Sequence, residues 1–237
     1  MTDHDYFRDV EEIVYRDENF SLQFRPLEER DAEVIHEAVV ISLESFLPFM
    51  DWAHKEQSVE GQIERIRKSK EEFAKGTECD FSVFDQNTGE FLMSATLSIS
   101  KTPNKKGLAI GYWTSIKHCN KGLATLITKI LTVIAFDFLK SDRLEIGCNK
   151  ANKKSIRVIE KCGFKLEGEA RNYFSEPTSK MIENGYYPDR TCLQYALIPG
   201  DIKNLPWFKE IKEKIIVDAE ILKQRSKTNC RIAGNII

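Results

Sequence analysis

Apolar residues recur along this chain with two periods, alternate positions in some stretches and helical spacing in others. "SLQFRPL" (21–27) alternates and predicts a first strand ending near Pro26. The stretch 28–46 carries Val34, Ile35, Ala38, Ile41 and Leu43 at helical spacing, with Asp31 placed to cap it and Pro48 to stop it. A second helix is predicted over 58–76, with Ser58 as N-cap, Ile63, Ile66 and Phe73 on one side, and Gly76 as the stop. Strands at 80–86 and 90–100 flank Asn87-Thr88-Gly89, a hairpin turn, and 107–115 continues the meander. A polar turn follows, then a helix to about Leu139 with Leu123, Ile127, Ile130, Ile134 and Phe138 as its core stripe. A buried strand at 143–149 leads to a short helix at 152–164, capped by Asn152 and left through a left-handed Gly163. Two more strands, 164–174 and 191–198, are joined by a long polar connection.

This order predicts an α/β fold: one mixed, mostly antiparallel sheet flanked by helices. Residues 1–20 read as a polar N-terminal arm, irregular or helical, and 21–199 as the domain. Residues 200–237 read as a C-terminal helical extension, because Phe208, Ile211, Ile215, Ala219 and Leu222 share a stripe. Such a helix packs back on the domain or meets a partner, a homodimer being one form of that. Composition is that of a globular protein, 41% hydrophobic and 30% charged among 237 residues. The net charge of −2 gives no basic excess for nucleic acid. The most apolar run, "LITKILTVIAFDFL", is too short for a membrane span and carries Lys129 and Asp137. The N-terminus is acidic, without the apolar core of a secretory signal. Cys79, Cys119, Cys148, Cys162, Cys192 and Cys230 form no C-x-x-C pair, which fits reduced thiols in a cytoplasmic protein and predicts no metal site.

The chemistry concentrates in "HCNKGLAT", where a strand turns into a helix. Asn120 and Gly122 tolerate positive φ, and Gly122 and Ala124 let a ligand approach the backbone. The amides of Lys121 to Thr125 can then face a diphosphate at the helix start, with the Lys121 charge and the Thr125 hydroxyl in addition. Neither a Walker loop nor a dinucleotide fingerprint is present.

Cys119-Asn120-Lys121-Gly122-Leu123-Ala124 resembles the R/Q-x-x-G-x-G/A loop of the GNAT superfamily of N-acetyltransferases, matching at Gly122 and Ala124 and departing at Cys119. "ANKKSIRVIEKCGFKLEGEARNYF" is similar to the RimJ/RimL-type branch, as are "IGYW", "FLPFMDWA" and "CLQYALIP". The resemblance spans about residues 20 to 200. It implies a GNAT-like fold, acetyl-coenzyme A as co-substrate, and acetyl transfer to a primary amine, here a peptide or protein N-terminus. It implies cofactor contacts from Thr114, Ile116, Asn120, Lys121, Gly122, Leu123, Ala124, Thr125, Asn152 and Ser155. A backbone N–H within Tyr112–Ile116 would hold the oxyanion, and the Ser155 hydroxyl would serve the departing thiolate. Glu176 and Asp51 are the candidate bases, beside the bland reading of both as solvated carboxylates. Asn152 is equally a helix cap, and His118 a surface histidine. Two other readings stand beside this one: transfer to a small amine such as a polyamine, amino acid or aminoglycoside, and a non-catalytic acyl-coenzyme A-binding module.

Overall fold

The computed structural model describes residue 7 and residues 12–101, 106–183, 185–186 and 189–217. Among these, the strands are β1 (Ile13–Arg16), β2 (Ser21–Pro26), β3 (Glu78–Asp85), β4 (Phe91–Ile99), β5 (Gly107–Thr114), β6 (Arg143–Asn149), β7 (Lys165–Ala170), β8 (Cys192–Leu197) and β9 (Ile215–Val217). They form one sheet in the order β7-β8-β6-β5-β4-β3-β2-β1-β9. The β5–β6 pairing is parallel and the others are antiparallel. A parallel pair needs a crossover, supplied here by α3 (Leu123–Val133), whose last turn widens over Ile134–Phe138 with Leu139 N–H bonded back to Ile134 O. The remaining helices are α1 (Ala32–Phe46), α2 (Val59–Lys75), α4 (Lys153–Lys161), α5 (Ser179–Glu183), α6 (Pro199–Ile202) and α7 (Phe208–Glu213).

The larger core joins strand residues such as Phe24, Phe81, Leu97 and Leu108 to Ile127 and Ile130 of α3, Ile159 of α4 and Ile211 of α7. A smaller core joins Ile35 and Val39 of α1 and Ile66 of α2 to Leu27, Phe84 and Phe91. The hairpin turn forms as expected, with Asp85 Oδ1 accepting from the Asn87 and Thr88 amides and Gly89 at φ 72°. Ser58 caps α2 by accepting from the Gly61 amide, and Gly76 ends it at φ 71°.

Several expectations need correction. Residues 13–16 are a sheet strand rather than an irregular or helical arm, since Ile13 and Tyr15 alternate into the larger core. The C-terminal stripe is not one helix. The chain makes α6, α7 and then β9, which pairs antiparallel with β1, so Ile215 enters the core from a strand. Ala219, Leu222 and Cys230 lie outside the described residues. In α1 the inward face is Ala32, Ile35, Ala38, Val39, Ser42 and Phe46, and Ile41 is exposed. Asp31 stands at the helix start, but its buried carboxylate accepts from Arg25 (2.6 and 2.7 Å) and from the Glu28 amide instead of capping α1.

Gly163 leaves α4 at φ 84°, and a Cβ there would fall inside contact distance of Leu205 Cδ2. Gly163→Ala therefore combines backbone strain with a clash and should cost about 1–3 kcal/mol, read as a lowered midpoint in chemical denaturation.

Candidate active site

β5 and β6 pair only from Gly107↔Arg143 to Ile110↔Ile146. Beyond that, β5 continues against β4 alone and β6 against β8 alone. The strands thus part, and β5 shows an unpaired edge. Ser115 N–H is bonded to Leu92 O (3.1 Å) and Ile116 N–H to Ser42 Oγ (2.9 Å). With the Trp113 amide facing Ser94 in the same β4 ladder, three of the five candidate oxyanion donors are therefore taken. Because antiparallel strands alternate the direction of their amides, Tyr112 and Thr114 turn theirs toward the side β6 has vacated.

A cavity of about 700 Å³ opens at this edge and runs over the start of α3 to α4. Thr114, Ile116, Asn120, Gly122, Leu123, Ala124, Thr125, Asn152 and Ser155 all line it. The Lys121 side chain is exposed and does not. Asn120 and Gly122 adopt φ 62° and 80°, as their residue types allow. Leu126 N–H bonds back to Gly122 O (3.0 Å), so the amides just before it lack an intrahelical acceptor and suit an anion. The space a Gly122 Cβ would occupy has no atom within 4 Å. Cys119, which also lines the cavity, turns its thiol onto the Thr114 and Ser115 carbonyl oxygens (3.9 and 3.6 Å) and so braces the loop. His118 is buried, not a surface residue, and its Nε2 lies 3.1 Å from Glu90 Oε1.

Asn152 caps α4 by accepting from the Ser155 amide (3.1 Å), and both side chains still face the cavity. The Tyr112 hydroxyl is buried nearby without an aligned hydrogen-bond partner. Burial pushes it up to about 12, the Ser155 hydroxyl acting in the opposite sense, so it stays protonated at neutral pH. Sequence reasoning missed the cationic wall: Lys153, Lys154, Arg157 and Lys161 of α4 line the cavity. Their signal was present, since 153, 157 and 161 lie at i, i+4 and i+8 on one helix face.

A second cleft of about 660 Å³ lies on the other side of β5, between α2 and the sheet. The two share Met50, Tyr112 and Trp113. An aromatic group divides them: Trp113 packs on Phe46 (5.4 Å between centroids), Phe91 (5.5 Å) and Trp52 (6.5 Å). "FLPFMDWA" is the segment that brings Phe46, Met50 and Trp52 to this wall. Its Asp51 is exposed and lines neither cavity. Glu176, 82% exposed, lies 3.4 Å from Arg190 and lines neither cavity either. The sequence candidates for the base are thus not brought to the reacting edge. The connection between β7 and β8 is less loose than its composition suggests. It forms α5, buries Met181, and sets Tyr186 against His54 (6.4 Å between centroids). Tyr187 lies outside the described residues.

A parted parallel pair with a turn suited to an anion at its mouth fits an enzyme that holds a phosphorylated acyl carrier, and residues 21–165 match the family described as acetyltransferase (GNAT) domain. The chain belongs to this family. It is an acyltransferase that takes an acetyl group from acetyl-coenzyme A and delivers it to an amine nitrogen. It is 32% identical over 182 residues, 76% of this chain and 96% of the relative, to "Probable N-acetyltransferase YjcK" of Bacillus subtilis (strain 168). Its fold is similar to that of Mycobacterium smegmatis RimJ in complex with CoA-disulfide, with a TM-score of 0.69, 21% identity, and coverage of 86% and 92% of the two chains. It is also similar to the ribosomal-protein-S5-alanine acetyltransferase of Vibrio fischeri, with a TM-score of 0.64, 20% identity, and coverage of 79% and 97%. Among the described residues, no helix is long and apolar enough to cross a membrane.

Acetyl-coenzyme A at a hundredfold over its dissociation constant should stabilise the protein by about 2.7 kcal/mol, seen as a thermal shift. Gly122→Asp puts a carboxylate where the diphosphate would lie and should remove the shift while the fold persists. A folded variant with the full shift would refute the assignment of the loop. Arg157→Glu should weaken binding most at low salt, because screening already discounts that charge at high salt.

Proposed function

We propose that the acceptor is the α-amine of a peptide or protein, acetylated in the cytoplasm. The observation that carries this reading is the second cleft, open to solvent and meeting the cofactor cavity at Met50, Tyr112 and Trp113. Lys55, Glu56, Glu64, Arg65 and Lys68 line it, both signs together, which suits a polypeptide end better than a uniformly cationic small molecule. The β7–β8 connection reaches the same 51–55 turn through Tyr186 and His54, so a chain leaving the cleft has a surface to run along. An α-amine titrates at about 8, against about 10.4 for a lysine side chain, so a modest proton acceptor suffices for it.

In this reading the amide N–H of Tyr112 or Thr114 receives the oxyanion; losing such a donor typically costs about 3–4 kcal/mol. The Ser155 hydroxyl stands where the thiolate departs, and the protonated Tyr112 hydroxyl lies behind it. Asn152 fixes the first turn of α4 and with it the position of Ser155.

Two experiments test this. A panel of short peptides with free N-termini, N-blocked lysine peptides, polyamines, amino acids and aminoglycosides is read by mass spectrometry. Peptide α-amines should turn over fastest; turnover of a small amine with none on any peptide would transfer the assignment to small amines. Ser155→Ala should lower kcat by about 10²-fold with little change in KM for acetyl-coenzyme A. Loss of stability in step with loss of activity would reduce Ser155 to a structural role.

A further inference from the structure

A polar ladder, whose Ser94 and Thr96 line the second cleft, stands where a sheet packed on a helix would ordinarily be apolar. Glu78, Asp80 and Ser82 of β3 stand opposite Ser98, Thr96 and Ser94 of β4. Asp80 is 8% exposed. Its carboxylate accepts a short hydrogen bond from the Thr96 hydroxyl through Oδ1, while Arg65 Nη2 of α2 lies 3.6 Å from Oδ2 and 3.5 Å from Ser94 Oγ. Thr96 is directly opposite Gly111, the first residue of β5 past its last pair with β6. A Cβ on Gly111 would sit 3.7 Å from Thr96 Cβ, so the missing side chain leaves the Thr96 hydroxyl uncovered beside the parted edge. Arg65, Ser94, Thr96 and Gly111 all line the cleft, and so does Gln62, whose buried amide oxygen has no partner.

We propose that the acceptor amine enters by this cleft and gives its proton to Asp80 through the Thr96 hydroxyl, with Arg65 fixing the carboxylate. Thr96 Oγ already donates to Asp80, so its lone pairs are free to accept from an N–H. The entering ammonium passes one proton to Thr96 Oγ as the hydroxyl proton moves to Asp80. The freed nitrogen lone pair forms the C–N bond to the thioester carbonyl carbon. The C–S bond breaks, its electron pair leaves with sulfur, and the second amine proton reaches that thiolate from the Ser155 side. The products are one amide, one free thiol and one proton, which returns from Asp80 to the cleft by way of the Thr96 hydroxyl.

The charged groups around Asp80 are Arg65 and Lys68 from α2 and Glu78 on its own strand, with Glu72 beyond Glu78 and the buried thiol of Cys79 next in sequence. β4 contributes only hydroxyls at this level. Burial, together with the charge of Asp80, holds the Glu78 carboxyl above the usual range.

The inference rests on the acceptor being an amine, and the test uses whichever amine of the panel the wild type turns over. Asp80→Asn and Thr96→Val should each lower kcat at neutral pH by about 10²-fold. Activity should return as pH rises through the α-amine pKa of about 8, where solvent base replaces the relay. Thr96→Ser should restore what Thr96→Val loses, and all variants should keep the thermal shift with acetyl-coenzyme A. Should Asp80→Asn not fold, the Thr96 pair decides. Wild-type kcat and pH profile in the variants would overturn the proposal, as would a loss that high pH does not recover. A wild type active on small amines alone would remove the peptide reading and leave the relay to be judged on those amines. One that turns over no amine at all would remove both.

Discussion

Parallel strands that part company each leave a row of N–H and C=O groups without partners, and such groups are costly unless something else satisfies them. Here the parting follows the Ile110–Ile146 pair. The larger core holds both strands below that level, through Leu108 and Leu144. Above it, β4 and β8 keep each strand straight from outside, so neither can close the gap. A ligand seated there would supply the missing partners. Everything else at the site is placed relative to that opening: the turn at the end of β5, the cap of α4 at the end of β6, and the second cleft on the far side of β5.

Much of this was legible because it depends on local chemistry. Gly122, Asn120, Asn152, Ser58 and Gly163 each satisfy a backbone need that no long-range contact can override, and each sits in the conformation its type predicts. The sheet order and the parting of β5 from β6 were not readable from periodicity, because strand neighbours are set by long-range pairing. What misled was composition at the ends and in the helices. Ile13 and Tyr15 were hidden in an acidic segment, and the stripe from Phe208 onward has helical spacing although Ile215 enters the core from a strand. Glu176 and Asp51 attracted attention as carboxylates near the right segments, but proximity in sequence to the site did not bring either into a cavity.

The inward face of α2 shows why the amine side was harder to read. Its buried residues are Gln62, Ile66 and Ser69, and Arg65 lies along the cleft beside them. In a sequence these polar residues look solvated. In the fold they face the hydroxyls and carboxylates of β3 and β4, where Arg65 reaches Asp80 and Ser94, while the Gln62 amide oxygen and the Ser82 hydroxyl stay unpartnered. An enzyme that must admit a charged amine beside a buried thioester has reason to keep this layer polar, at the expense of the smaller core.

The pairing of β1 with β9 has a consequence for biosynthesis. It joins the first and last described strands, and Ile13, Tyr15, Ile211 and Ile215 contribute to the same core as the central strands. On a translating ribosome β1 emerges ahead of the other described strands, whereas its outer neighbour β9 emerges after all of them. Contacts so distant in sequence form slowly, and an unpaired strand edge is open to association with other chains while it waits. The nascent protein therefore carries a sticky border throughout elongation, and chaperone demand should be set by how quickly that final strand docks rather than by the assembly of the active site.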